Sequence, residues 1–363
     1  MPIILKLNNY NMDVQFFNNN EKLYKKILQD IGEAKSFVYL ETFSFGKNKI
    51  GHQFREALEN CAKEEVDVRL LLDGFGSSTN RKYFKKLSQL GGQIKFYKKF
   101  KISFNIIHDN NYRNHRKLLV IDDKISYIGS VNITDRSINW RDATLRLSGT
   151  ISTTFRDVFL DNFKIADKHI FIKKPHTTSI KLKDIEIFRD IPSIKFQKIR
   201  NEQIRLIKNA KKQIIIETPY FLPGRKMRIH LKKAVKRGVK AIIILPKKSD
   251  MKIVDILREK YFGKLYKYGV SIIFYTPKIL HSKLMLIDNE IFSIGSANMD
   301  PRSTLFHFEL NLFGTNKEII KHIQQHLKES MSHSENFNYE KWKKRSIIQR
   351  IMERLLSLIK YLL

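Results

Sequence analysis

A chain of 363 residues, 42% of them hydrophobic, can bury a substantial core, and its 68 Lys and Arg against 36 Asp and Glu leave a formal charge of +32. That excess points to a polyanionic partner, such as nucleic acid, an anionic membrane or a phosphorylated substrate, although the basic residues are scattered through the chain rather than clustered. The single cysteine, Cys61, excludes an internal disulfide, and apolar runs such as AIIIL fall far short of the ~20 residues that a membrane-spanning helix needs.

The first residues, MPIILKLNNYNMDVQ, read as a short strand and turn and not as a signal peptide. EAKSFVYLETFSF, residues 33–45, follows as a helix end and a strand finishing in Glu-Thr. An amphipathic helix (FREALENCAKEE, with Cys61 as a small core residue) and an apolar strand (VDVRLLLD) come next, then a second such pair, KYFKKLSQLGG with QIKFYKK. The half closes on HRKLLVIDDKISYIGSVN, residues 115–132.

Beyond a polar, basic join at 166–184, broken by Pro175, the same order returns. NAKKQIIIETPYF (209–221) matches the first strand, with Glu217 in register with Glu41. IHLKKAVKRG with VKAIIILP, and VDILREKYFGKLYKYG with VSIIFYT, match the two helix–strand pairs. HSKLMLIDNEIFSIGSAN, residues 281–298, matches the closing string. Alternating strands and helices in duplicate predict two similar α/β domains, 1–165 and 185–335, able to face each other across a pseudo-twofold axis. From Trp342 the tail within 336–363 places Ile348, Met352, Leu355, Ile359 and Leu362 at helical spacing opposite basic and polar residues. A basic amphipathic helix of this kind suits a membrane surface or a docking groove on the protein body.

The doubled string carries the chemistry. On a strand, His115 and Lys117 project the same way, as do His281 and Lys283, and Asp122 and Asp288 end the apolar runs. Ser130 with Asn132, and Ser296 with Asn298, follow Gly129 and Gly295 in turns able to present amide donors to a phosphate. One copy is compatible with a buried strand that holds a satisfied histidine and a snorkelling lysine. Two copies at the same His-x-Lys-x4-Asp-x6-Gly-Ser-x-Asn spacing are not. Two imidazoles, each near pKa ~6.5 before any perturbation, can divide nucleophilic attack and proton donation at one phosphodiester while the lysines and amides stabilise its charge. Asp142 in NWRDATLRL and Glu309 in FHFELNLF are candidates to orient the two rings, and Glu41 and Glu217 to line the pocket. His52, His108, His230 and His307 share no metal-ligand spacing and read as surface or packing residues.

At these residues the chain resembles the phospholipase D superfamily, whose paired HKD motifs the two strings match. RNHRK at 113–117, GSANMDPRS at 295–303, LETFSF and LLLDGFGS narrow the resemblance to bacterial cardiolipin synthases, and to the short form without N-terminal transmembrane helices. It covers about residues 20–160 and 200–315. The resemblance implies two α/β/α sandwich domains with one composite active site at their interface, and a phosphatidyltransferase that needs no cofactor and no metal. His115 would form a phosphohistidine, and His281 would protonate the departing alcohol and deprotonate the incoming one. Lys117 and Lys283 would stabilise charge, with Asp122 and Asp288 as structural partners of basic side chains. Phosphatidylglycerol is the implied substrate and cardiolipin with glycerol the products, with hydrolysis by a phospholipase D, or a nuclease or other phosphodiesterase activity, as the alternative. The implied partners are lipid substrates and an anionic membrane surface, not nucleic acid, for a monomer with an internal pseudo-dimer at the cytoplasmic face of the bacterial inner membrane. The chain departs from the family pattern at Ser130, where many synthases carry a second glycine, and at Asn48, where relatives often carry Asp.

Overall fold

The computed structural model describes residues 3–4, 12–97, 111–166, 179–193 and 196–358. His108, Pro175, Ile359 and Leu362, and most of the join at 166–184, lie outside these. In chain order the first half contains β1 (Ile3–Ile4), β2 (Met12–Phe17), α1 (Asn20–Gly32), β3 (Phe37–Thr42), α2 (Lys49–Lys63), β4 (Asp67–Asp73), α3 (Lys85–Gln89), β5 (Gln93–Tyr97), β6 (Arg113–Asn114), β7 (Leu118–Ile121), β8 (Ile125–Gly129), β9 (Thr144–Gly149) and α4 (Ile151–Ile165). The second half contains β10 (Ile180–Lys181), β11 (Ile185–Asp190), α5 (Lys198–Asn209), β12 (Gln213–Glu217), α6 (Arg225–Lys236), β13 (Lys240–Pro246), α7 (Lys252–Lys267), β14 (Ser271–Tyr275), β15 (Leu284–Ile287), β16 (Ile291–Gly295), α8 (Pro301–Leu305), β17 (His307–Gly314), α9 (Lys317–Ser332), β18 (Ser334–Asn336), α10 (Tyr339–Lys343) and α11 (Ile347–Leu356).

The chain divides into two compact units: Leu5–His176 with Phe308–Leu310, and Met1–Ile4 with Thr177–His307 and Asn311–Leu363. The first unit is built on a mixed sheet in the order β2-β9-β8-β7-β3-β4-β5, and the second repeats it as β11-β17-β16-β15-β12-β13-β14. The second sheet is lengthened by β10 and β1 at one edge and β18 at the other. In each unit three strands run parallel (β3, β4, β5; β12, β13, β14), joined by crossover helices, and the motif hairpin adds antiparallel to the first of them.

Side-chain alternation sorts the layers. Val38 and Leu40 of β3, with Leu70 and Leu72 of β4, join one core with Leu23 and Ile27 of α1 and Phe54 and Leu58 of α2. Tyr39 faces the opposite way and stacks on Phe159 of α4 at 5.0 Å. Glu41, two residues on, therefore also points to the α4 side. In the second unit Ile214 and Ile216 join the core under α5, α6 and α7, and Ile215 and Glu217 take the other face.

Three details differ from the sequence pattern. His115 and Lys117, like His281 and Lys283, precede the regular strands, which begin only at Leu118 and Leu284. The expected helix over KYFKKLSQLGG shortens to Lys85–Gln89, stopped by Gly91, which takes φ +92. The described part of the tail forms two short helices, α10 and α11, where one was expected.

Candidate active site

Each motif is a hairpin whose turn explains its aspartate. Asp122 and Asp123 have φ of 52° and 55°, and Asp288 and Asn289 have 54° and 60°, the left-handed pair of a tight two-residue turn that Asp and Asn tolerate best after glycine. The Asp122 carboxylate accepts the N–H groups of Lys35 at 2.7 Å, Ser36 at 2.8 Å and Phe37 at 2.8 Å. Asp288 does the same for Lys211 at 2.8 Å, Lys212 at 2.7 Å and Gln213 at 2.9 Å. Burial opposes the charge on Asp288, but these amides outweigh it and hold its pKa below the usual value. Both aspartates thus fasten the hairpin to the start of the neighbouring strand through backbone amides, where the resemblance implied basic side chains.

At the other end of each hairpin a glycine lets a second segment come close. A Cβ on Gly129 would stand 2.3 Å from the Ala143 carbonyl oxygen, so only glycine fits where the chain brings Asp142 past the motif. Gly129 pairs with Thr144 and Gly295 with Asn311, which puts Asp142 and Glu309 at the same place in each repeat, two residues before the paired position.

Glu309 lies beside one of the two rings. It belongs with the first unit, and its Oε1 and Oε2 lie 3.0 and 3.1 Å from His115 Nδ1. The His115 N–H also donates to Phe308 O at 3.0 Å, and the edge of the ring meets Phe43 with centroids 5.0 Å apart. Glu309 thus anchors the imidazole through Nδ1 and fixes the orientation of the ring. Asp142 is wholly buried, its oxygens accepting from Ser130 Oγ at 2.7 Å and Asn20 Nδ2 at 2.8 Å. Ser130 is therefore engaged in setting Asp142 and not in an open turn.

Lys117 Nζ donates to His115 O at 2.7 Å, and Lys283 Nζ to His281 O at 2.7 Å, so each lysine folds back beside its own histidine. Lys283 Nζ also lies 3.2 Å from His281 Nε2. All four side chains are buried, as are Ser296, Asn132 and Asn298. Asn132 and Asn298 each keep a buried amide oxygen with no hydrogen-bond partner among the described residues, a matched pair of unmet polar groups.

Glu41 and Glu217, expected to line the pocket, have no exposed surface and brace the histidine segments from within the sheet. Glu41 accepts from Asn114 Nδ2 at 2.8 Å and Asn162 Nδ2 of α4 at 2.9 Å, with Arg116 Nη1 at 3.8 Å. Glu217 accepts from Ser282 Oγ and, at 2.6 Å, from His326 Nε2 of α9. Burial alone would raise the Glu217 pKa, but the charge and hydrogen bond of His326, with Ser282 and Ser330, bring it below the ordinary value.

Sequence reasoning missed Asp73. It ends β4, accepts Phe75 and Gly76 N–H at 2.9 and 2.8 Å, and takes the Asn114 N–H at 2.8 Å, fixing the residue before His115. Burial pushes its pKa up to about 6 against the pull of those amides and of Arg113. The only trace in the sequence is a charged residue closing the apolar run LLLDGFGS. Asn20, Asn162 and His326 left no trace, because each acts from a helix far along the chain. Asn48 caps α2, accepting Gly51 N–H at 3.2 Å and donating to Thr134 Oγ1 at 2.9 Å, a role an aspartate would share only in part.

Comparison with known proteins agrees with this layout. A family model described as "Cardiolipin synthase, PLD-like domain" matches residues 27–159 and 203–331. A cardiolipin synthase of Clostridium perfringens is 33% identical across 98% of this chain and 79% of its own length. The major cardiolipin synthase of Bacillus subtilis is 33% identical across 95% of this chain and 74% of its own length. The fold is similar to that of phosphatidylserine synthase from Haemophilus influenzae, with a TM-score of 0.78 at 13% identity and 98% of both chains covered. It is also similar to polyphosphate kinase from Porphyromonas gingivalis, with a TM-score of 0.62 at 13% identity over 96% of this chain and 53% of that one. With both repeats matched and a third of its residues shared along nearly its whole length, the chain belongs to the cardiolipin synthase family of phospholipase D-like proteins.

Proposed function

We propose that this phosphatidyltransferase makes cardiolipin in two steps, with His115 as nucleophile and His281 as proton carrier. The observation that carries the reading is the His115–Glu309 pair at 3.0 Å, which holds the ring by Nδ1 and so makes Nε2 the attacking atom in this proposal. In the first step Nε2 bonds to the phosphorus of phosphatidylglycerol, the bond from phosphorus to the glycerol oxygen breaks, and His281 supplies the proton with which glycerol leaves. In the second, a hydroxyl of another phosphatidylglycerol gives its proton to His281 and its oxygen attacks phosphorus. The P–N bond breaks and cardiolipin forms. Lys117 and Lys283 offset the charge that builds on the phosphoryl oxygens, and the amides of Asn132 and Asn298 add donors there. Asp142 occupies in its own repeat the register that Glu309 occupies in the other, and Asp122 and Asp288 anchor the hairpins.

Membrane contact falls to α11. The tail docks on α7 of the body: Lys260 Nζ donates to Ser357 Oγ at 3.0 Å, and Trp342, at the end of α10, donates its indole N–H to Glu259 O at 2.9 Å and lies against Gly263, while Arg345 pairs with Glu353 at 2.7 Å within the tail. The indole is thus a docking group, one of the two roles that the sequence left open for the tail. Ile347, Ile348, Ile351, Met352, Leu355 and Leu358 are left exposed, Ile348 by 75%. An apolar ridge facing outward beside Lys343, Lys344, Arg350 and Arg354 fits an anionic bilayer surface, consistent with a peripheral protein on the cytoplasmic face of the inner membrane. Among the described residues no helix is long and apolar enough to cross a membrane.

The test is incubation of purified protein with phosphatidylglycerol vesicles labelled in the phosphatidyl group. Cardiolipin, with an acid-labile label held on the wild-type protein when it is quenched during turnover, is the expected result. Phosphatidic acid as sole product would make the chain a hydrolase, and cleavage of DNA but not lipid would overturn the reading. Changing Ile347, Ile348 and Ile351 to Ser should release the protein from the vesicles; unchanged sedimentation would remove α11 as the contact.

A further inference from the structure

The second unit contains a cavity of about 700 Å³ that the two-step chemistry does not use, bounded by α5, the segment leading into α6, and the chain before and through α8. Its walls carry Arg200, Arg225, Lys226 and Arg228, none of which has an ion-pair partner among the described residues. The single carboxylate on its wall, Asp300, is turned to its own helix, accepting the Ser303 N–H at 2.7 Å. Arg200 bonds Gln197 Oε1 at 2.5 Å, and its Nη2 would lie 3.1 Å from a Cβ at Gly224, which brings a guanidinium against the start of α6. That start has no side-chain cap, so its N–H groups add to the positive field.

A second feature of the cavity also calls for a ligand. Gln203 is 4% exposed, and its side-chain amide has no hydrogen-bond partner among the described residues. It lines this cavity and also a small one of about 10 Å³ that reaches Lys283, with Met299 shared between the two. With no protein group bonded to it, this amide is available to a ligand hydroxyl. The exposed cations at Arg225 and Lys226, the buried amide further in, and apolar walls at Leu222 and Tyr261 describe an amphiphilic guest with a phosphate and a polyol. The volume suits such a molecule rather than a bare phosphate ion.

We propose that this cavity binds the glycerophosphate headgroup of a phospholipid, the phosphate at Arg200 and Lys226 and the polyol at Gln203, with the polyol directed toward the Lys283 side. Its place in turnover, as the seat of the accepting lipid, rests on the function proposed above; the binding itself does not.

The experiment titrates glycerophosphoglycerol, the deacylated headgroup, into full-length protein carrying His115→Ala, read by calorimetry, so that binding is measured apart from turnover. Arg200→Gln with Lys226→Gln should weaken binding on the order of tenfold or more, since the phosphate would lose two charge-assisted donors. Lys233→Gln with Lys236→Gln, exposed on the same helix outside the cavity, should leave it unchanged. Gln203→Leu should erase the preference for glycerophosphoglycerol over inorganic phosphate. Vesicles of phosphatidylglycerol should compete with the soluble headgroup, whereas phosphatidylcholine vesicles should not. Equal loss in both double variants would show diffuse charge and overturn the site. Equal affinity for inorganic phosphate, or no competition by phosphatidylglycerol, would overturn the headgroup. If the headgroup binds as described but no transfer is seen with wild-type protein, the proposed function fails and the site stands.

Discussion

The two repeats share their outer frame and differ in what lies beneath each histidine. The hairpin turn, the three amides on the aspartate, the lysine folded onto the histidine carbonyl and the position of Asp142 and Glu309 are alike in both. Below them, a glutamate occupies the same point of the first parallel strand, opposite Leu118 in one repeat and Leu284 in the other. Glu41 is bound mainly by two neutral amides, Glu217 by an imidazole and a hydroxyl. Asp73 has no counterpart, because the position matching it at the end of β13 is Pro246. The first repeat therefore ties the segment before its histidine to two carboxylates, and the second holds the residue after its histidine with one. What is constant sets the shape of each motif, and what varies sets how firmly each histidine is held, a difference that the proposed division of duties between the two rings would use.

The comparison breaks most plainly at the histidines. His115→Ala and His281→Ala should each lower turnover of phosphatidylglycerol by roughly 10⁴-fold or more. With a nitrophenyl phosphodiester, which needs no proton on its leaving group, the His281 variant should recover much of the first step and the His115 variant none. Equal recovery would mean that the roles are not divided. Next comes Glu309→Gln, which should cut kcat by about 10²–10⁴ with little change in KM, as loss of a ring-orienting carboxylate does. Asp142→Asn should match it, and a tenfold gap between the two would show that the shared register does not mean a shared role.

Smaller effects sharpen the lower layer. Glu217→Gln removes one member of a buried ionic pair and should cost about 3–5 kcal/mol in urea unfolding, whereas Glu41→Gln, whose main partners are neutral, should cost about 1–3 kcal/mol. The pH dependence should follow the same division. With its folded pKa depressed, Glu217 adds stability above the unfolded carboxylate range, and this is lost as pH falls through the folded value. Asp73 has the opposite sign: raised from 3.8 to about 6, it favours folding when protonated, and this advantage is lost as pH rises through about 6. Asp73→Asn should therefore gain on the parent protein in urea midpoint between pH 4.5 and pH 7. A constant difference across that range would show that Asp73 does not titrate in it.

Much of this site was legible because its marks are local. The His-x-Lys spacing, the Asp before the turn and the Gly-Ser beyond it lie within one hairpin, and side-chain alternation over a few residues carries them. The order of strands and helices was likewise written in apolar periodicity, twice. The misread features involve partners far apart in the chain. Asp122 reaches back 86 positions to Ser36, Glu217 forward 109 to His326, and Asn20 lies 122 from Asp142. No pattern of spacing shows which of many buried polar groups will meet.

The tail gives the same lesson at the surface. Its helical spacing marked an apolar stripe, but which side would meet the body was decided by Ser357 with Lys260 and by Trp342 against Glu259 and Gly263, and the stripe was left outward. The sequence by itself determined the duplicated sheet, the two histidine–lysine pairs and the family, because these follow from the short-range periodicity of strands and turns. Only the tertiary structure decided that the motif aspartates bind backbone, which side chains the strand-end glutamates hold, and that Gln203 joins a group of cations at one cavity. Those are properties of groups brought together by packing, and packing energy depends on neighbours in space that the order of residues along the chain does not specify.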